Sequence, residues 1–135
     1  MVRAIPPLLL IKIFFISISL LLCTSCYENT ANCKDFTTGT FEYTAIIDGI
    51  PKTSTFIRNE AMEIDIFESK TDTSSVRWVN DCEYILTNLH PKNRQDKKPM
   101  HIKILSTQEN QYTFEFSQVG SSKKKQGIAK RIFNN

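Results

Sequence analysis

The chain has 135 residues, 41% of them hydrophobic and 23% charged, with 17 Lys and Arg against 14 Asp and Glu. That length fits one domain with one core. A formal net charge of only +3 argues against a nucleic-acid binder, which needs a concentrated basic face.

Arg3 and Lys12 precede an uninterrupted apolar run, Ile13–Leu22, with small residues just beyond it. A charged start, a short apolar segment and small residues at its end predict a secretory signal peptide. About ten residues rising about 1.5 Å each fall short of a hydrocarbon core of about 30 Å, which disfavours the alternative of an uncleaved anchor. The segment ends in Cys23-Thr24-Ser25-Cys26, which resembles the lipobox of bacterial lipoproteins. Ser25 before Cys26 suits that pattern, although Cys23 stands where an aliphatic residue is usual. Cys26 is therefore the expected lipidation site, and the membrane is an expected partner through that lipid. Read as Cys-x-x-Cys, the same residues would be a redox pair, but no βαβ pattern follows them.

The expected organisation is a signal peptide at 1–25, a lipidated Cys and tether at 26–35, and a single β domain at 36–135. Cleavage before Cys26 leaves fifteen basic and fourteen acidic residues, a nearly neutral domain. Cys33 and Cys82 then remain as one pair in an oxidising compartment, where a disulfide is expected. Closing a loop of that length stabilises the fold by about 4 kcal/mol in the chain-entropy treatment. His90 and His101 do not flank either Cys at ligand spacing, so no metal site is expected.

From Phe36 onward, period-two alternation recurs between turn signals. FEYTAII places Phe41, Tyr43, Ala45 and Ile47 on one face, and Asp48-Gly49 predicts a tight hairpin. KTSTFIR returns with Phe56 and Arg58 together. AMEIDIF, after a weaker turn at Asn59-Glu60, is read with Met62, Ile64 and Ile66 inward and Glu63 and Asp65 outward. Ser69–Ser75 reads as a polar loop. VRWV and CEYILTNL form a central hairpin turning at Asn80-Asp81, and His90–Lys98 is a long charged loop. MHIKIL aligns Met100, Ile102 and Ile104, YTFEF aligns Tyr112, Phe114 and Phe116, and GIAKRIF closes the chain. Short links favour antiparallel neighbours. The prediction is an all-β meander of about eight strands, closed as a lipocalin-like barrel, with a two-sheet sandwich as the alternative.

The strings CYENTANCKDFTTGTFEY, FIRNE, DTSSVRWVNDCEYIL, HPKNR, HIKIL and YTFEFSQVG together resemble a family of small secreted lipoproteins from Bacteroidota, some carried under a "DNA topoisomerase IV" label. The resemblance covers essentially the whole mature domain and brings no activity or catalytic residues with it. A topoisomerase role is physically untenable here: there is no Gly-rich phosphate loop, and the signal points away from the chromosome. The fold is also similar to lipocalin-like barrels in having Gly39, in TGTF, near the start of the first strand, but no Trp follows it.

No enzyme signature is present: there is no Gly-x-Ser-x-Gly, no His-Glu-x-x-His, and only two His residues. The protein is read as non-catalytic and without a cofactor. Glu63 and Asp65 share a strand face and imitate a catalytic carboxylate pair, but alternation alone explains them as a solvated face. Lys123-Lys124-Lys125 reads as a soluble hairpin loop, with anionic headgroups as the alternative. Arg58, Arg77 and Trp78 are the ligand-binding candidates, since a barrel interior that holds a cation must pair it; the plainer reading has Arg58 at a strand end facing solvent and Arg77 paired across the strand with an acidic residue. The expectation is an exported envelope lipoprotein with an interaction or structural role, its barrel filled by large residues including Phe41, Phe56, Ile64, Trp78 and Tyr84. The alternative is a module that holds a small apolar or amphipathic ligand, which an internal cavity above roughly 300 Å³ would favour.

Overall fold

The structure is a computed structural model that describes residues 31–132, together with Leu8. Cys26 and the signal peptide apart from Leu8 lie outside the described residues; of the expected tether, 31–35 are described and already fold against the barrel. After a 3-10 helix at Cys33–Phe36, eight strands follow: β1 (Gly39–Ile47), β2 (Ile50–Arg58), β3 (Met62–Phe67), β4 (Lys70–Asn80), β5 (Glu83–Asn88), β6 (Met100–Gln108), β7 (Gln111–Gln118) and β8 (Lys125–Arg131). Each pairs antiparallel with the next, and β8 returns to β1, closing the barrel in meander order. Closure rather than a two-sheet sandwich leaves no strand edge open along the seam that pairs Phe41–Tyr43 with Ala129–Arg131.

The turns follow local chemistry. Asp48 and Gly49 adopt φ of 52° and 78°, the paired left-handed conformation of a two-residue hairpin, so Ile47 lies opposite Ile50. Asn59 bends the chain between β2 and β3 by accepting bonds from Ala61 N and Met62 N at 2.9 and 2.8 Å. Two expected boundaries move. Ser69–Ser75 is no loop: Glu68 and Ser69 make the turn with positive φ, and Lys70–Asn80 is one long strand. Its Thr and Ser residues suit a strand because they pair with β3 through the backbone and need no buried apolar face. The hairpin at the centre turns at Asp81 and Cys82, one residue later than expected, with Asn80 Oδ1 accepting from Cys82 N at 2.9 Å.

The meander sorts its connections onto two ends. The turns at 59–61, 81–82 and 109–110 share one end with the 3-10 helix, which caps it. Asp48-Gly49, Glu68-Ser69 and the loops at 89–99 and 119–124 surround the other. Packing is concentrated at the capped base. Phe36 from the helix meets Tyr112 edge-on at 5.2 Å, and Phe41 stacks on Phe56 at 5.3 Å between ring centroids. Cys33 and Cys82 form a disulfide that fastens the cap to the β4–β5 turn.

β1, β6 and β7 face the way alternation predicts, with Phe41, Ile102, Ile104, Tyr112 and Phe114 buried. β3 is inverted. Glu63 is buried at 7% exposure and Asp65 lines the interior, whereas Met62 and Ile66 are exposed on the outer wall and Ile64 is half-buried. Register explains this: Arg58 lies directly opposite Glu63, so a side chain that takes Arg58 inward takes Glu63 with it.

Candidate ligand-binding cavity

Arg58 ends β2 deep in the base, 2% exposed. All five of its N–H donors are occupied. Nε donates to Thr37 O at 3.2 Å, Nη1 donates to Glu63 Oε2 at 3.0 Å and to the Tyr84 hydroxyl, and Nη2 donates to Phe36 O at 2.7 Å and the Tyr112 hydroxyl at 3.1 Å. The rings of Phe41 and Tyr84 flank the guanidinium at 5.1 and 4.7 Å. Burial works against its charge, but Tyr84, Tyr112 and Glu63 outweigh burial and hold it above the ordinary arginine value. Burial likewise raises both tyrosines, so they stay neutral hydroxyls that accept from the cation. Burial lifts the Glu63 carboxyl too, with Arg58 opposing that lift. Arg58 therefore plugs the barrel floor, and none of its donors is left for a ligand carboxylate.

Above that floor the barrel is hollow. An inner chamber of about 210 Å³ is walled by Phe56, Tyr84, Ile102, Tyr112, Phe114 and Phe116. An outer chamber of about 530 Å³ opens toward the mouth, where Lys52, Lys70, Asp72, Ser74 and Asn88 replace the aromatic residues. Tyr43, Ser54, Glu63, Asp65, Leu86 and Met100 line both, so the two are one continuous cavity with an apolar bottom and a polar top. The loop at 89–99 contributes Gln95, Asp96 and Lys98 to the outer wall. It is held by its own bonds: Asn93 Oδ1 accepts from Gln95 N and Asp96 N at 2.8 and 2.9 Å, and Asp96 Oδ2 accepts from Lys92 N at 3.1 Å.

The polar wall is unevenly neutralised. Lys52 pairs with Glu68. Asp65 accepts from Ser54 Oγ and faces Asp72 directly across β3 and β4. Burial, joined by the Asp72 charge, raises the Asp65 carboxyl above the usual aspartate range despite the Ser54 bond. Asp65 keeps accessible surface, but that surface opens on the cavity.

The expected site residues separate here. Arg58 is internal, yet as a structural plug. Arg77 is exposed on the outer wall, because β4 alternation turns Val76 and Trp78 inward instead. Trp78 packs at the base, 4.6 Å from the Tyr84 ring, and lines neither chamber. Lys123 and Lys124 belong to the β7–β8 loop, Lys125 opens β8, and Lys124 pairs with Glu115 at 2.8 Å. His101 sits on the outer wall against Glu83 at 3.2 Å. Sequence reasoning named Glu63 and Asp65 but turned them outward to solvent, and it missed Asp72. The signal that finds them is the partner requirement of an inward Arg58, which points to the carboxylate opposite it. Among the described residues no group of three or more His, Cys, Asp or Glu could hold a metal ion. No family model, curated protein or solved structure matches this chain.

Proposed function

We propose that this is a non-catalytic envelope lipoprotein, anchored through Cys26, that holds a small amphipathic molecule in its barrel. The observation that carries the reading is the outer chamber of about 530 Å³, continuous with an aromatic inner one. Small-molecule sites are concave, mostly apolar and roughly 300–1,000 Å³, with a few placed polar groups. A filled barrel would bury its large residues against each other, whereas here Tyr43, Phe114 and Phe116 border open space. The Cys33–Cys82 disulfide is compatible with export to an oxidising compartment. Among the described residues no helix is long and apolar enough to cross a membrane.

Native and denaturing mass spectrometry of protein isolated from the cell that makes it tests this reading. The expected result is a co-purifying molecule that denaturation releases. Burying about 300 Å² of apolar surface yields roughly 7 kcal/mol before entropic costs, so retention is modest. Thermal unfolding against fatty acids, sterols and amines backs it up, since a ligand of the native state raises the midpoint. A structural or interaction role is the second reading. Its support is an outer wall where Ile57, Met62 and Ile66 stand exposed side by side on β2 and β3.

A further inference from the structure

Asp65 and Asp72 are directly opposite each other on the cavity wall, an arrangement that costs stability when both are charged. Among the described residues neither has a cation within ion-pair distance. Of the cations that share the outer chamber, Lys52 is held by Glu68, and Lys70 and Lys98 make no ion pair among the described residues. Glu63 is more than nine-tenths buried and borders both chambers. Its Oε2 takes Arg58, and its Oε1 carries no hydrogen bond among the described residues. One wall of the cavity thus presents carboxylate oxygens without partners.

Just below them lie aromatic rings. Tyr43 meets Phe114 at 5.3 Å and Phe116 at 6.1 Å between centroids, and all three rings border the inner chamber. Ring faces attract cations, and an apolar chamber takes an apolar body. With no metal-holding group of carboxylates, His or Cys among the described residues, the cation that fits is an organic one.

Resting on the ligand-binding reading, we propose that the cavity takes a small organic amine, its ammonium group on Asp65 and Asp72 and its apolar or aromatic body against the rings of Tyr43, Phe114 and Phe116. The bound charge would relieve the repulsion between the two carboxylates, and burial away from bulk water would strengthen the contact.

Three probes of one shape test it: tryptamine, indole-3-propionate and neutral 3-methylindole, titrated into the intact protein by calorimetry and thermal unfolding. Tryptamine is expected to bind tightest. In D65N/D72N, which keeps side-chain volume, its affinity should drop by about tenfold or more while that for 3-methylindole holds. Circular dichroism confirms that the variant is folded. Indole-3-propionate binding as well as tryptamine, or tryptamine indifferent to D65N/D72N, overturns the amine assignment and leaves the ligand-binding barrel standing. Binding of none of the three also overturns the amine assignment, and the ligand-binding barrel then falls only if the mass spectrometry and the fatty-acid and sterol panel are empty as well.

Discussion

At the base of the barrel, Arg58 and Glu63 are closed in by two tyrosine hydroxyls and two backbone carbonyls, and every donor of the guanidinium is answered. At the mouth, Asp65 and Asp72 face one another, and neither has an ion-pair partner among the described residues. The same strands build both ends. The difference shows that a small barrel can gather its stability at one end and leave the other free for polar groups that do not help it fold. A buried polar network adds specificity when it is fully satisfied, and costs stability when it is not.

The largest effect is expected where the base is broken. R58M should destabilise by about 5 kcal/mol, because it leaves the buried Glu63 without its counterion. In R58M/E63M most of that loss should return, since removing both charges removes the unpaired one; urea midpoints measure both. No recovery in the double variant would mean the base is held by the hydroxyl and carbonyl bonds instead. Next, C33S/C82S should cost about 4 kcal/mol by the loop-closure argument. Mass mapping without reductant should recover the Cys33 and Cys82 peptides joined, and free thiols there would remove the cap from the account.

A smaller effect belongs to the seam between the ends. A Cβ at Gly127 would stand 2.4 Å from Tyr43 Cε2 and 3.1 Å from Phe114 Cζ. G127A should therefore cost about 2 kcal/mol and push the Tyr43 ring into the cavity. Unchanged stability with unchanged binding would show that the ring has room to move.

The smallest effect has the opposite sign. Burial and the Asp72 charge raise the Asp65 carboxyl, so its ionisation opposes folding at neutral pH. That cost fades as pH falls through the raised folded value toward the ordinary aspartate range. D65N should stabilise the ligand-free protein by about 0.5 kcal/mol at neutral pH and flatten this part of the pH profile. A variant less stable than the parent would show that the Ser54 bond outweighs the repulsion.

The contrast between the ends also explains what could be read from the sequence. The Asp48-Gly49 turn was legible because both residues tolerate the positive φ a two-residue hairpin needs, and the faces of MHIKIL and YTFEF because those strands run through the dry base, where inward means apolar. In MEIDIF the period was legible and the direction was not. A cavity that admits water lets carboxylates face inward, and the outer wall of β3 carries Met62 and Ile66 exposed. Ser69–Ser75 was misread for the same reason, since a strand bordering a polar chamber has no apolar stripe to announce it. Alternation puts Arg58 on the face of Phe56, but neither its burial nor its role follows from that: whether a cation at a strand end is buried and already saturated depends on Tyr84 and Tyr112, far along the chain.

The chain enters the barrel at its base, where Cys33 is bonded to Cys82 two residues after Ala31. That entry point has a mechanical consequence. Tension applied upstream reaches Cys33 first and passes covalently into the β4–β5 turn, on the flank away from the seam where β1 meets β8. That seam rests on three residue pairs and would be the first to unzip under a pull along β1. With the load diverted into the disulfide, tugging on the N-terminal segment leaves β1 seated, and the mouth at the opposite end keeps its shape.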